Sequence, residues 1–327
     1  MPALTIRTES WPIAGRFAIA RGAKTRADVV VVELRAGSAL GRGECVPYAR
    51  YGETLDGVAA ALEALRPELE GAGVDRARLE ALLPAGAARN ALDCALWDLE
   101  AKQSGLPVWR RAGLAAPQPV LTAYTISLDA PATMARGARA ARERPLLKLK
   151  LGAAGDAERV RAVREAAPAA RLLVDANEGW SIRELERMAP ILVDAGVELL
   201  EQPLPADQDA LLESFESPVP LCADESFREQ RALEALRARY RLVNVKLDKS
   251  GGLSEALASL RAARALGFGV LVGCMLGTSL AMAPALLLAG AADFVDLDGP
   301  LLLARDREPG LAFRGSWIEP PQPALWG

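Results

Sequence analysis

Five charged side chains close five apolar runs at near-constant spacing. Lys150 follows Leu146-Leu147-Lys148-Leu149, Asp175 follows Leu172-Leu173-Val174, Glu201 follows Leu199-Leu200, Asp224 follows Leu221-Cys222-Ala223, and Lys246 follows Val243-Asn244-Val245. The steps from Lys150 to Lys246 are 25, 26, 23 and 22 residues, each the length of one strand-loop-helix-loop unit. If the strands are parallel and close into a barrel, all five side chains meet at its carboxyl-terminal mouth. Each carboxylate alone has a simpler explanation: Asp175 could start a turn, Asp224 cap a helix and Glu201 end a strand. Together in one mouth they repel and call for a cation. With no histidine among 327 residues, a metal would be held mainly by oxygen, which favours Mg²⁺, or Mn²⁺, over Zn²⁺.

The lysines complete the chemistry. Lys148 and Lys150 are two apart on a strand, so they share a face, and two neighbouring ammonium groups are expected to depress each other's pKa toward the range of a general base. Lys246 lies across the barrel from Lys150. Lys249, before Gly251-Gly252, reads either as a partner of this group or as an exposed side chain. A cation flanked by a lysine on each side describes a device for moving a proton at a carbon next to a carboxylate. One lysine removes the α-proton from one face while the cation stabilises the enediolate, and the other returns a proton to the opposite face, inverting the centre.

Elements to position these groups are legible along the chain. From Pro119 onward, strands are expected near 120–126, 146–151, 171–175, 197–201, 219–223, 241–246, 268–272 and 293–297, alternating with helical stretches. Asp156 and Ser181 are expected helix N-caps, and Gly196 and Gly267 sit where helix-ending glycines belong. Residues 1 to about 114 have a different rhythm. Strands at Leu4 to Thr8 and Val29 to Leu34, and a third at Gly41 to Cys45, precede helices at Leu55 to Leu69 and Ala87 to Gln103, which suggests an α+β module. Two irregular stretches in it, Phe17 to Arg26 and Val46 to Glu53, are candidate lids. The segment from Asp306 to Gly327 is expected to pack back on this module.

Composition narrows the partner. A hydrophobic content of 51% fills a large core, and a net charge of −3 arises from interspersed signs, so neither a nucleic-acid surface nor a disordered tail is indicated. The charge-free stretch from Ala265 to Ala292 is punctuated by glycines and Pro284, and divides into a strand, a loop and a buried helix rather than a membrane span. Four widely separated cysteines without metal-ligand spacing read as reduced, and no secretory signal opens the chain, so a cytoplasmic location is expected.

Lys148-Leu149-Lys150, Asp175-Ala176-Asn177, Glu201-Gln202-Pro203, Asp224-Glu225-Ser226 and Asn244-Val245-Lys246 together resemble the enolase superfamily, specifically its muconate-lactonising subgroup. The resemblance covers nearly the whole chain and implies an α/β fold: a modified TIM barrel, (β/α)7β, over residues 115–302, with an α+β capping domain at 1–114 joined by 303–327. It implies Mg²⁺ on Asp175, Glu201 and Asp224, Lys150 and Lys246 as the acid/base pair, and Lys148 in support of Lys150. The missing histidine agrees, since mandelate-racemase-like members place one on one face.

Asp296-Leu297-Asp298 resembles the Asp-x-Asp motif of dipeptide epimerases, whose acidic pair receives the substrate's free α-ammonium. The lid stretches, Arg21 to Thr25 and Glu44 to Tyr48, further resemble members acting on L-Ala-D/L-Glu in murein peptide recycling, which places Arg21 or Lys24 near a glutamate side chain. Thr125, in the first barrel strand, joins the substrate-binding set. Many relatives carry a Glu where this chain has Gly277. The expected activity is Mg²⁺-dependent epimerisation of the C-terminal residue of a dipeptide, with a homo-oligomer implied. The alternatives are o-succinylbenzoate synthase, N-succinylamino acid racemase or a cycloisomerase on the same machinery, and, in a different class, a barrel that binds a metabolite without turning it over.

Overall fold

The computed structural model describes residues 2–71 and 74–327. Three strands, β1 (Ala3–Ile19), β2 (Gly22–Ala36) and β3 (Ala39–Cys45), form an antiparallel sheet against which α1 (Leu55–Ala64) and α2 (Ala87–Ser104) pack. The strands are longer than their apolar patterns suggest. β1 and β2 stay paired from Ala3–Arg35 out to Ile19–Gly22, with an irregularity between Pro12 and Phe17. The expected irregular lid at Phe17 to Arg26 is therefore a β-hairpin whose tip carries Arg21. The helix expected over Leu55 to Leu69 is also interrupted, ending at Ala64 and restarting as Arg66–Glu70, because Pro67 lacks the N–H that a continuous helix needs.

After β4 (Val120–Leu121) come the barrel strands: β5 (Tyr124–Ile126), β6 (Leu146–Lys150), β7 (Arg171–Asp175), β8 (Val197–Glu201), β9 (Leu221–Ala223), β10 (Leu242–Val245), β11 (Gly269–Gly273) and β12 (Phe294–Asp296). They form one eight-stranded parallel sheet in sequence order. It closes almost to a barrel. At the seam, the Ala123 N–H donates to Val295 O (2.8 Å) and the Leu297 N–H to Thr122 Oγ1 (2.8 Å). The strand expected over 120–126 divides at this point. Val120 and Leu121 turn away to pair with β14 (Trp317–Ile318), itself the partner of β13 (Phe313–Arg314).

The connecting helices include α3 (Pro131–Ala140), α4 (Asp156–Ala166), α5 (Ile182–Asp194), α6 (Leu253–Ala265) and α7 (Ser279–Ala289), while short helical turns serve after β8 and β9. Ser181 caps α5 as expected. Asp156 does not cap α4: Gly155 holds that position, and the Asp156 carboxylate turns to accept the N–H groups of Gly152 and Ala153 and the Trp180 indole N–H. Among the described residues no helix is long and apolar enough to cross a membrane, and the charge-free stretch is divided between β11 and α7.

Side-chain alternation along each barrel strand builds the site. Leu147 and Leu149, Leu172 and Val174, Val243 and Val245, and Val270 and Val272 face the helices in the main core. The intervening positions face the barrel axis. Leu146, Leu173, Leu199, Cys222, Leu242 and Leu271 make a separate apolar plug. Two residues further along the same faces come Lys148, Asp175, Glu201, Asp224, Asn244 and Gly273. The apolar plug keeps water out below, and the polar layer opens at the carboxyl-terminal end.

The cap is seated on this mouth through α2. A Cβ on Gly43 of β3 would lie 2.0 Å from the Ala91 carbonyl oxygen, so glycine permits the close approach of sheet and helix. Buried polar groups on α2 then reach four neighbours. Asn90 Nδ2 donates to Asp248 (2.8 Å), Asp93 accepts from Ser254 of α6 (2.6 Å), and Asp98 accepts the N–H groups of Arg42 and Gly327 (both 2.8 Å). Trp326 is buried and donates to Cys94 O (3.1 Å), so the C-terminal residues are bound to α2.

Asp248 also accepts the Val46 N–H (2.9 Å), on the same oxygen that receives Asn90. Burial pushes its carboxyl up from 3.8 to about 7, against these two hydrogen bonds. Between those values the folded protein binds one more proton than the unfolded chain, so stability falls as pH rises, by about 1.4 kcal/mol per pH unit for this group. Asp248→Asn keeps an oxygen for both donors and loses the titration. Chemical denaturation from pH 4 to pH 8 is expected to show a shallower decline in the variant than in the parent; parallel curves would mean that the Asp248 carboxyl titrates alike in the folded and unfolded chain.

Candidate active site

The side chains of Lys148, Asp175 and Glu201 are completely buried, and those of Lys150, Asp224 and Lys246 nearly so. Carboxylate oxygens of Asp175, Glu201 and Asp224 lie within 4.8 Å of one another. In each carboxylate one oxygen is held by a dedicated support. The Asn177 N–H donates to Asp175 Oδ1 (2.9 Å), Asn244 Nδ2 to Glu201 Oε1 (2.7 Å), and Lys249 Nζ to Asp224 Oδ1 (2.6 Å). The other oxygens face lysines: Lys150 on Asp175 Oδ2 (2.7 Å), Lys148 beside Glu201 Oε2 (2.6 Å) and Lys246 on Asp224 Oδ2 (2.7 Å). Glu201 Oε2 is buried and meets the Lys148 ammonium as an ion pair without hydrogen-bond geometry. Three hard oxygen donors in a buried cluster, one of them without a hydrogen bond, fit a small divalent cation.

The same charges set the protonation states. Burial works to lower the pKa of Lys148 and Lys246, yet both are raised well above the usual lysine value, Lys148 by Asp296, Glu201 and Asp175, and Lys246 by Asp224 and Glu201. The expected mutual depression of Lys148 and Lys150 is thus overturned for Lys148, because its nearest charges are carboxylates. Asp224, despite burial, is held well below the carboxylate range by Lys246 and Lys249. Glu201 is raised by burial and by Asp175.

Lys249 is a partner of the group, fully buried, with its three donors on Asp224 Oδ1, the Asp224 carbonyl (2.6 Å) and the Asn244 carbonyl (3.0 Å). Asp296 lies beside Lys148, 2.6 Å from Oδ2 to Nζ, leaving Oδ1 buried and unpartnered. Asp298 Oδ2 accepts the N–H of Thr125 (2.6 Å), and burial, with the charge of Asp296, raises its carboxyl to about 7. Thr125 is itself buried and hydrogen-bonds Asp298 through both its backbone N–H and its side chain.

Above these groups lies a cavity of about 490 Å³ lined by Lys150, Lys246, Asp224 and Glu225 from the barrel and by Arg21 and Tyr51 from the cap. Asp296 and Asp298 lie beside it: burial first, and then the charges of these two residues, raise the pKa of Cys274, a lining residue. Arg21 bonds to the Asn177 carbonyl (2.7 Å), Glu178 (3.0 Å), Tyr48 Oη (3.0 Å) and Glu225 (2.5 Å). Lys24 is exposed at the rim, 5.8 Å from the Tyr48 ring centre. The place of a side chain at Gly277 is taken by the cap: Glu44 Oε1 is 3.0 Å from where its Cβ would stand, and Glu44 bonds to the Thr278 N–H (2.7 Å) and Arg307 (2.7 Å).

A barrel with an acidic triad between lysines, under a separate sheet-and-helix cap, is the arrangement of enolase-type enzymes, and the chain belongs to the mandelate racemase/muconate lactonizing enzyme family of that superfamily. Residues 1–113 match its N-terminal domain and residues 132–307 the enolase C-terminal domain-like family. The chain is 48% identical over 315 residues to the L-Ala-D/L-Glu epimerase of Escherichia coli K12, covering 96% of this chain and 98% of that protein. It is 43% identical over 302 residues to an N-acetyl-D-glutamate racemase from Pseudoalteromonas, covering 91% and 95%. The crystal structure of an enolase family member from Agrobacterium tumefaciens with homology to dipeptide epimerases, containing sodium and L-Ala-L-Glu, superposes over 100% of both chains with a TM-score of 0.98 and 52% identity. Dipeptide epimerases at 27% to 32% identity and TM-scores of 0.89 to 0.90 are complexed with Mg and a dipeptide.

Asn244 is the support that sequence reasoning missed, its place two residues before an expected strand-end lysine being the available signal, whereas Lys249 is the partner its position after that lysine allowed. Asn244→Leu preserves volume and removes the donor to Glu201. It is expected to weaken Mg²⁺ binding about 10–100-fold by isothermal titration calorimetry. Unchanged affinity would show that Glu201 needs no such support.

Proposed function

We propose that the chain is a Mg²⁺-dependent dipeptide epimerase that inverts the α-carbon of the C-terminal residue, acting on L-Ala-D-Glu and L-Ala-L-Glu. The observation that carries this reading is that Lys150 and Lys246 line one cavity, each on the outward oxygen of a different carboxylate of the triad. Asp175, Glu201 and Asp224 would hold the cation, whose charge, when bound, counters the substrate carboxylate and the three ligands and so eases loss of the α-proton. The substrate's α-carbon lies between the lysines. Neutral Nζ of one takes the proton from one face, and protonated Nζ of the other delivers a proton to the opposite face; the reverse reaction exchanges their parts. Lys148 balances the buried charge of Glu201 and Asp296 and steadies the layer below.

Asp296 Oδ1, buried and without a partner, has the acceptor capacity to receive a dipeptide's ammonium. An ammonium beside Asp298 would offset the like charge that raises its carboxyl. In this reading Arg21 and Lys24 set the preference for an acidic side chain, and Thr125 holds Asp298. We assign residues 1–114 with 303–327 to the cap and 115–302 to the barrel. With four free cysteines, we place the protein in the cytoplasm, where epimerised murein dipeptides would pass to peptidases.

A second reading is favoured by the Pseudoalteromonas relative: racemisation of an N-acylated glutamate, which has no free ammonium. Proton NMR in D₂O with Mg²⁺ separates the two, using L-Ala-L-Glu, L-Ala-L-Phe and N-acetylglutamate. Loss of the C-terminal α-proton signal from L-Ala-L-Glu is expected, and no exchange on any dipeptide would overturn the epimerase reading. Lys150→Ala and Lys246→Ala are each expected to slow exchange from one epimer about 10²–10⁴-fold. Asp298→Asn is expected to bind Mg²⁺ normally and lose dipeptide turnover; indifference to it would favour the N-acyl substrate.

A further inference from the structure

Two segments of the cap overhang the cavity, the β1–β2 hairpin tip with Arg21 and the turn Ala49–Tyr51 with Arg50. They are 29 residues apart in sequence, yet both end on one barrel carboxylate. Glu178 receives Arg50 through Nε (2.7 Å) and Nη2 (2.8 Å), and Arg21 through Nη1 (3.0 Å), while the Ala206 N–H donates to Oε1 (2.9 Å). Its side chain is only 7% exposed, unlike that of an ordinary surface ion pair, whose worth is small.

The backbone under Glu178 is unusual in the same place. Asn177 and Glu178 both have positive φ, 47° and 65°, a left-handed conformation that non-glycine residues adopt only when their surroundings enforce it. Here the Glu178 N–H donates to Gln202 O (2.9 Å) and the Gly179 N–H to Ala176 O (2.8 Å). The loop is thus fixed by the barrel, and Arg21 bonds the carbonyl of the same Asn177 whose N–H and side chain hold Asp175.

We propose that Glu178 is a positioning residue that ties both overhanging segments to the loop carrying Asp175, so that they close over the cavity as one gate. This rests on the reading that the cavity receives the substrate. Hydrogen exchange by mass spectrometry on the full chain tests it directly. In Glu178→Gln, exchange in residues 19–24 and in residues 46–53 is expected to rise together, about tenfold or more, with barrel-strand peptides unchanged. A rise confined to one segment, or none, overturns the gate. Arg50→Met leaves the Asp175 loop intact and covers the case in which Glu178→Gln fails to fold: the hairpin tip is expected to loosen there too, and an unchanged tip overturns the coupling. With L-Ala-L-Glu, Glu178→Gln is expected to raise KM about tenfold with a smaller change in kcat. A fall in kcat at constant KM would instead place Glu178 in the chemistry and overturn the gate. Exchange decides the gate even if the parent turns over no dipeptide, a result that would count against the proposed function alone.

Discussion

Three carboxylates compressed to within 4.8 Å at the end of a barrel are the constraint around which this protein is built. Removed from water, such charges repel strongly and are tolerated only when paired and hydrogen-bonded. The chain divides that task between two sets of groups. Asn177, Asn244 and Lys249 hold one oxygen of each carboxylate from the rear, and Lys150, Lys148 and Lys246 cover the outward oxygens. Asn177 follows the strand of the carboxylate it holds, whereas Asn244 and Lys249 reach Glu201 and Asp224 from β10 and the turn after it, so the supports link neighbouring strand ends into one cluster.

This division gives the front lysines their character. A lysine bound to a buried carboxylate holds its proton tightly, as Lys148 and Lys246 do. A cation held among the carboxylates would weaken that hold for Lys148 and Lys246, since it would compete for the same oxygens. Lys249 is the contrasting case. Burial is the larger effect on it and its pKa is lowered, yet all three of its donors are spent on the ends of β9 and β10, so it acts as structure.

The cap completes a mouth that the barrel leaves open. It is attached through Asn90 and Asp93 on α2 to Asp248 and Ser254 of the barrel, and reaches the cavity with the β1–β2 hairpin tip and the turn Ala49–Tyr51. A base bonded through α2 and tips held by ion pairs to Glu178 suit a cover that must admit a ligand and then exclude water.

The sequence by itself determined the barrel's period, the identity of the five strand-end charges and the preference for oxygen-bound metal, because each rests on local alternation and on residue types that no neighbour can change. It also exposed Asp296 and Asp298 as a pair on one side of a strand end. Only the tertiary structure decided what those groups touch. Lys148 beside Asp296 is a contact across 148 residues, and Asn244 on Glu201 spans 43. The Phe17 to Arg26 stretch lacks the apolar alternation of a buried strand because it projects from the cap over the mouth, where backbone pairing alone keeps it extended. Likewise Glu44, which read as the end of a cap strand, fills the space beside Gly277 because the folded cap sets it there. Contacts between remote elements depend on how sheets and helices seat against one another, and no local pattern encodes that seating.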